Sequence, residues 1–227
     1  MHPLTGISSM ATRALVAELA QAHVRAQASG QPVQMQAAGG VDVARRLRAG
    51  ERFDLVLLAE DALQALCREG HVGAVHAFAD SAVAAAVPAG AVLPPLNDAA
   101  DLRAAVLAAP LIGYSTGPSG SALLALFERW GLLETLRPRL VQAPAGVPVA
   151  ALLARGEVQL GLQQRSELLG QPGITLLGDL PQDLALTTRF SAALGPQAAA
   201  GAQALLDFLC SPAAAATKRR HGMTEPT

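Results

Sequence analysis

Nine consecutive positions, Gly113-Tyr114-Ser115-Thr116-Gly117-Pro118-Ser119-Gly120-Ser121, crowd together small hydroxyl side chains and glycines. Hydroxyls are neutral donors, and glycines let a ligand approach the backbone closely. The stretch follows a short apolar strand, Pro110-Leu111-Ile112. It opens a helix whose apolar residues Leu123, Leu124, Phe127 and Trp130 recur at helical spacing. Ser119 is placed to cap that helix and Gly131 to end it. First-turn N–H groups lack acceptors inside a helix, and the macrodipole adds partial positive charge, so such a junction can cradle an anion. The dipole is worth only about 0.3–1 kcal/mol to an exposed anion, so hydrogen bonds must carry the affinity. No Gly-Lys-Ser/Thr follows, which excludes a P-loop. A capped surface turn would use the same residues. Recurrence along the chain is what favours an anion site.

The elements that must position this stretch alternate. Leu4 to Ile7 is a short buried strand, followed by Ser8-Ser9 and a helix from about Ala11 to Ala28. Val33, Met35 and Ala37 alternate with Gln34 and Gln36 as a half-buried strand. Ala38-Gly39-Gly40 then leads into a helix from Val41 to Ala49, ended by Gly50. Phe53 to Leu58 suits a buried parallel strand, and Asp61 to Gly70 a helix with its C-cap glycine. Ala82 to Val87 is an apolar strand. The turn-rich Pro88 to Asp98 marks a move into a second lobe, where Asn97 or Asp98 caps a helix from about Ala99 to Ala108. After the Trp130 helix come a strand at Leu140 to Gln142, then Pro144 to Pro148 with the Val147 N–H available, then a helix from Val149 to Arg155. Val158 to Leu162 is a strand with Gln163-Gln164-Arg165 at its C-terminal end. Ile174 to Leu177 and Leu186 to Ala193 are further strands, a helix runs from about Pro196 to Leu209, and Ser211-Pro212 caps a last one. Strands alternating with helices predict parallel α/β sheets.

Composition sets the bounds. The 227 residues suffice for one large domain or two modest ones, 51 % of them are apolar, and the formal net charge is −1. A near-neutral chain lacks the basic face that nucleic acid requires. No charge-free run of eighteen apolar residues predicts a membrane span. The first residues, Met1 to Ile7, lack the basic and apolar regions of a signal peptide. That implies a cytoplasmic protein if the chain is full length. Cys67 and Cys210 fit no metal or redox spacing and read as small hydrophobes, with a disulfide as the alternative. The five histidines form no zinc-type pair. Neither a metal nor a cofactor is expected. No Ser-His-Asp constellation falls in register. Asp42 and Glu167, the acids near the small-residue junctions, read as solvated helix residues, so no catalytic residue is assigned. Arg165 and Arg189 are the candidate cations, read first as salt partners.

The order of these pieces resembles the type II periplasmic-binding-protein fold, and within it the molybdate-binding-protein-like solute-binding proteins of ABC transporters. The resemblance rests on Gly6-Ile7-Ser8-Ser9, on Gly40 to Gly50 with Phe53-Asp54-Leu55-Val56, and on Ser115 to Ser121. It continues through Gly146-Val147-Pro148-Val149, Gly156 to Gly161 and Phe208 to Pro212. It implies two α/β lobes with mainly parallel sheets flanked by helices, joined by two crossover strands near Ala82 to Val87 and Thr187 to Ala193. Lobe one would be residues 1–82 plus 190–227, and lobe two 83–189. A small anion, an oxyanion or an organic carboxylate, would sit in an interlobe cleft and be buried by hinge closure. The family also implies a periplasmic location and an ABC permease as partner. Its ligand-holding positions carry over to Ser8 or Ser9 and to the backbone N–H groups of Ser119 and Val147, with Gly40-Val41 and Gln163-Gln164 at the remaining ones, while Ser115, Thr116, Gly120 and Ser121 join the candidates from the small-residue stretch itself. The chain departs twice: Gly40-Val41 replace a serine, and Gln163-Gln164 replace a tyrosine. Those exchanges suit an organic anion at least as well as molybdate. The alternative is an enzyme (an isomerase or lyase) or a sensor acting on a small organic acid with the same fold.

Overall fold

The computed structural model of the chain describes residues 2–27 and 30–227. In chain order its elements are β1 (Leu4–Ser9), α1 (Arg13–Ala26), β2 (Val33–Ala38), α2 (Gly40–Arg48), β3 (Leu55–Ala59), α3 (Glu60–Arg68) and β4 (His76–Pro88). Then come α4 (Ala99–Ala108), β5 (Ile112–Tyr114), α5 (Pro118–Arg129), α6 (Leu133–Leu136), β6 (Leu140–Gln142), α7 (Val149–Ala154), β7 (Leu160–Gln164) and α8 (Arg165–Leu168). The last are β8 (Ile174–Asp179), β9 (Thr187–Leu194), α9 (Ala202–Cys210) and α10 (Ala215–Arg220). The chain divides into two compact units: Met1–Asp80 with Arg189–Thr227, and Ser81–Thr188. Both divisions fall inside strands, β4 on the way out and β9 on the way back.

In the first unit β1 lies between β2 and β3, parallel to both, and β3 pairs antiparallel with β9 from Leu55↔Leu194 to Ala59↔Phe190. Alternate residues of β3 feed opposite cores, as a strand covered on both faces must. Leu55 and Leu57 pack with Leu15 and Leu19 of α1 and Leu205 and Leu209 of α9. Val56 and Leu58 pack with Val43 and Leu47 of α2 and Leu63 and Leu66 of α3. In the second unit β5 lies between β6 and β7, parallel to both, while β4 pairs antiparallel with β7 and β8. Its faces are covered by α4 and α5, through Leu102, Val106, Leu123 and Phe127, and by α7, through Val149, Leu152 and Leu153.

Several boundaries moved from where local pattern put them. β5 was expected at Pro110 to Ile112 and runs two residues further. β7 was expected at Val158 to Leu162 and includes both glutamines. The glycines explain the shift. Gly113 and Gly161 are opposite partners across β5 and β7. A Cβ on Gly113 would meet Val149 Cγ1 at 2.9 Å, and one on Gly161 would meet it at 2.8 Å. They form the flat patch on which α7 rests, so glycine here serves packing rather than turning. The helix expected from Pro196 begins at Ala202, because Gly201, at φ 97°, turns the chain first. A 3₁₀ turn, Met10–Thr12, delays α1, and the far end expected for that helix, Ala28, lies outside the described residues. Other local signals held. Asp98 caps α4 by accepting from the Asp101 N–H at 2.9 Å. Gly131, at φ 66°, ends α5 with its N–H on Glu128 O. Cys67 and Cys210 are free and half-buried. Among the described residues, no helix is long and apolar enough to cross a membrane.

Candidate functional site

In the first unit the register sets three strand-to-helix junctions along one sheet edge. Ser9 pairs with Ala38, and Ser8 with Leu57, so β1, β2 and β3 end side by side. Ser8 and Ser9 are buried, and although Ser9 stands at the N-cap of the Met10–Thr12 turn its side chain makes no capping hydrogen bond. Ser8 Oγ donates only to Ser9 O, at 3.2 Å, and Ser9 Oγ lies 3.3 Å from Thr12 Oγ1. At α2 the Val43 N–H closes on Gly39 O at 2.9 Å. The N–H groups of Gly40, Val41 and Asp42 precede that bond and have no acceptor within the helix. Gly40 is open: a Cβ there would meet nothing nearer than Leu58 Cδ2 at 3.8 Å. Val41 beside it is 78 % exposed.

The third junction carries a residue the sequence reading passed over. Glu60 directly follows β3 and starts α3, and Ser191 Oγ donates to its Oε1 at 3.4 Å. Asp42, one of the two acids singled out beforehand, is ion-paired with Arg45. The signal for Glu60 was available: it stands after its strand as Ser9 and Gly40 stand after or near theirs.

In the second unit the central junction is built differently from the expected capped helix. Gly117 is the N-cap and Pro118 the first helical residue, while Ser119 lies inside the first turn. Proline suits that place because its missing N–H would have no acceptor anyway. The Gly120 and Ser121 N–H groups both reach Gly117 O, at 3.0 and 3.3 Å. Pro118 has none to give, which leaves the Ser119 N–H without an acceptor in the helix. The buried Ser119 hydroxyl lies 2.9 Å from Ser115 Oγ, and Ser115 Oγ accepts from the Gly117 N–H at 3.2 Å. A Cβ on Gly120 would overlap the Ser115 carbonyl oxygen, so only glycine lets the helix close on this loop. Thr116 and Ser121 are exposed on either side.

The neighbouring junction corrects one expectation. The Val147 N–H is not available: it donates to Pro144 O at 2.9 Å, across a turn whose Gly146 has φ 79°. The first N–H of α7, from Val149, is also used, by the buried Gln163 Oε1 at 2.8 Å. Gln164, equally buried, donates through Nε2 to Thr188 Oγ1 at 2.6 Å.

Neither candidate cation is free. Arg165 pairs with Asp179 at 3.0 Å. Arg189 forks onto Asp80, with Nε 2.9 Å from Oδ1 and a terminal nitrogen 3.0 Å from Oδ2. Burial alone would raise the Asp80 pKa, but the Arg189 fork and the Thr227 N–H outweigh it and hold the carboxyl below its ordinary value. The donors left at both clusters are therefore hydroxyls, amides and backbone N–H groups. Such groups suit an anion that must be recognised by direction rather than by charge. Among the described residues, no group of three or more His, Cys, Asp or Glu could hold a metal ion.

The profile of the family described as "Bacterial extracellular solute-binding protein" matches residues 4–224. Aconitate isomerase from Pseudomonas sp. is 33 % identical over 222 residues, covering 93 % of this chain and 84 % of that protein. The molybdate-binding protein ModA of Rhodobacter capsulatus is 31 % identical over 124 residues, about half of each chain. Among solved structures, the periplasmic molybdate-binding protein of Azotobacter vinelandii superposes with a TM-score of 0.82 at 19 % identity, covering 99 % of this chain and all of that one. Likeness at that identity carries the fold: α/β, two lobes, mainly parallel sheets flanked by helices, and two crossover strands, of the molybdate-binding-protein-like kind.

Proposed function

We propose, from the fact that this chain belongs to the bacterial extracellular solute-binding protein family, that it binds a small organic carboxylate and delivers it to an ABC-type permease. The observation that carries this reading is the α5 junction. There a hydroxyl pair, the half-buried Ser115 and the buried Ser119, and the unclaimed Ser119 N–H meet at the mouth of a twelve-residue helix. These are donors without a counter-charge, gathered where the helix field favours an anion. Ser8, Ser9 and the open Gly40-Val41 turn serve the same anion-binding role in the first unit. One feature favours a carboxylate over a tetrahedral oxyanion: Gly40 offers space where a hydroxyl would shorten the reach.

The test is a thermal-shift and calorimetry panel of molybdate, tungstate, sulfate and small mono-, di- and tricarboxylates. Binding to the native state alone raises apparent stability by mass action. A carboxylate should give the largest shift, and Ser119→Ala and Ser8→Ala should each reduce it. A panel in which only molybdate or tungstate shifts the melt would refute the carboxylate reading.

A second reading has a specific observation behind it. Glu60 places a carboxylate at the donor edge of the first unit, and a relative 33 % identical is an aconitate isomerase. A carboxylate near a bound acid could take a proton from one carbon and return it to another, as a general base and then acid. Incubation with cis- or trans-aconitate, followed by proton NMR, tests it. Interconversion that disappears in Glu60→Gln would favour the enzyme, and unchanged substrate would favour the binding protein.

A further inference from the structure

Among the described residues two amide oxygens of the second unit are buried without a partner, those of the half-buried Gln159 and of Gln164, and only Gln164 is itself a buried residue. The residue is 1 % exposed, and its Oε1 is fully buried with no donor in reach. Its neighbour Gln163 shows the ordinary arrangement, with its Oε1 receiving the Val149 N–H. Buried amide oxygens almost always have a partner, and one left bare carries a desolvation cost that folding does not recover. The head of Gln164 is also held in place. Its Nε2 is anchored on Thr188 Oγ1 at 2.6 Å.

Its place in the sheet matters. β7 runs parallel to β5 with Tyr114 opposite Leu162, so Gln164 lies two residues past the point where β5 hands over to Ser115 and the α5 junction. An acceptor fixed at that end has no use for molybdate, sulfate or a bare carboxylate, which are themselves acceptors. It needs a hydrogen to receive.

We infer that Gln164 Oε1 accepts a hydrogen bond from a hydroxyl of the ligand, which makes the ligand class small hydroxycarboxylates. The inference rests on the carboxylate reading above and narrows it. The carboxylate end is met by donors, the hydroxyl end by this one acceptor. A site with a buried polar group built for a hydroxyl discriminates strongly against the analogue that lacks it, because the group is then left unpaired.

The experiment uses pairs differing only in that hydroxyl: L-malate against succinate, and citrate against tricarballylate, titrated by calorimetry into the full chain. In at least one pair the hydroxylated member should bind at least about tenfold more tightly. In Gln164→Met, which keeps the volume and removes the acceptor, the pair should converge to within about twofold. Thr188→Val, which frees the amide head, should erode the preference part of the way and serves if the methionine variant does not fold. Equal affinity within both pairs for the unaltered protein, or a preference that survives Gln164→Met, overturns this inference and leaves the carboxylate reading standing. Binding of molybdate with no carboxylate overturns both. A ligand-bound crystal structure with a water, rather than a ligand hydroxyl, on Gln164 Oε1 also overturns it.

Discussion

The two units answer the same problem, a strand feeding a helix through small residues, in opposite ways. At the Ser115–Gly120 junction the two serine hydroxyls and the Gly117 N–H hold one another in place, and the helix is packed so tightly on the loop that a side chain at Gly120 would overlap the Ser115 carbonyl. At the Ala38–Val41 junction nothing is tight. Gly39 would meet no atom within 4 Å if it carried a Cβ, and Gly40 only a leucine methyl. The same residue type is thus a packing necessity in one unit and a clearance in the other. A preorganised donor set costs little to reorganise on binding, while an open turn can accept ligands of differing width.

The sharpest way to break this comparison is to give both glycines a methyl group. Gly120→Ala should lose about 3 kcal/mol, the upper range for overpacking, and lose ligand-induced stabilisation with it. Gly40→Ala, with ordinary backbone angles and open space, should be neutral or gain about 0.5 kcal/mol. Urea denaturation of the pair decides the matter, and equal losses would mean that the two junctions do not differ as described.

Acid should separate the units next. In the first unit burial pushes Asp54 up, but the Thr5 and Ala199 N–H groups and the Thr5 hydroxyl hold it below its usual value of 3.8. Asp80 is held down by Arg189 against its own burial. A carboxyl whose folded pKa is lowered contributes stability that is present above its unfolded pKa and lost as pH falls through the folded one. The lowered acids of the second unit, Glu134 and Glu157, lie in exposed pairs that add little. Below about pH 4 hydrogen exchange should therefore rise first in β1, β3 and the C-terminal segment. Asp80→Ala should imitate this at neutral pH, at a cost of about 2 kcal/mol, because it strands the Arg189 fork.

Smaller effects sharpen the picture. Ser119→Ala removes the buried side of the Ser115–Ser119 hydroxyl pair and should cost about 1 kcal/mol of stability, read by thermal melting, with a larger proportional loss of affinity. The least disturbance comes from Gly40→Ser, which fits the open turn and should leave stability within about 0.5 kcal/mol. It supplies a hydroxyl where the resemblance to molybdate-binding proteins implies a serine, so affinity should move toward tetrahedral oxyanions. Calorimetry with molybdate before and after the change reads it.

Much of the fold was legible because it is local. The apolar run Leu55 to Leu58 announced a strand buried on both faces. Asp98 announced a cap, and Gly131 a helix end, because each acts on atoms a few residues away. The site was legible only in outline. Ser8, Ser9, Ser115 and Ser119 do stand at strand-to-helix junctions, yet Ser119 was misread as the cap. Polarity also hid the fact that Gln163 and Gln164 belong to a buried strand. Glu60 was missed because an acid at a helix start is such an ordinary surface feature.

What the amino-acid order determined by itself was the alternation of strands and helices and the placing of small donor residues between them, since propensity and periodicity act over one or two turns of chain. Only the tertiary structure decided which of those donors remain free. The Val149 N–H is taken by a side chain 14 residues away, Asp80 is matched to an arginine 109 residues away, and Gln164 keeps an amide oxygen with nothing to receive. A hydrogen bond has one geometry and few partners, and in a folded chain those partners are assigned by packing between distant segments.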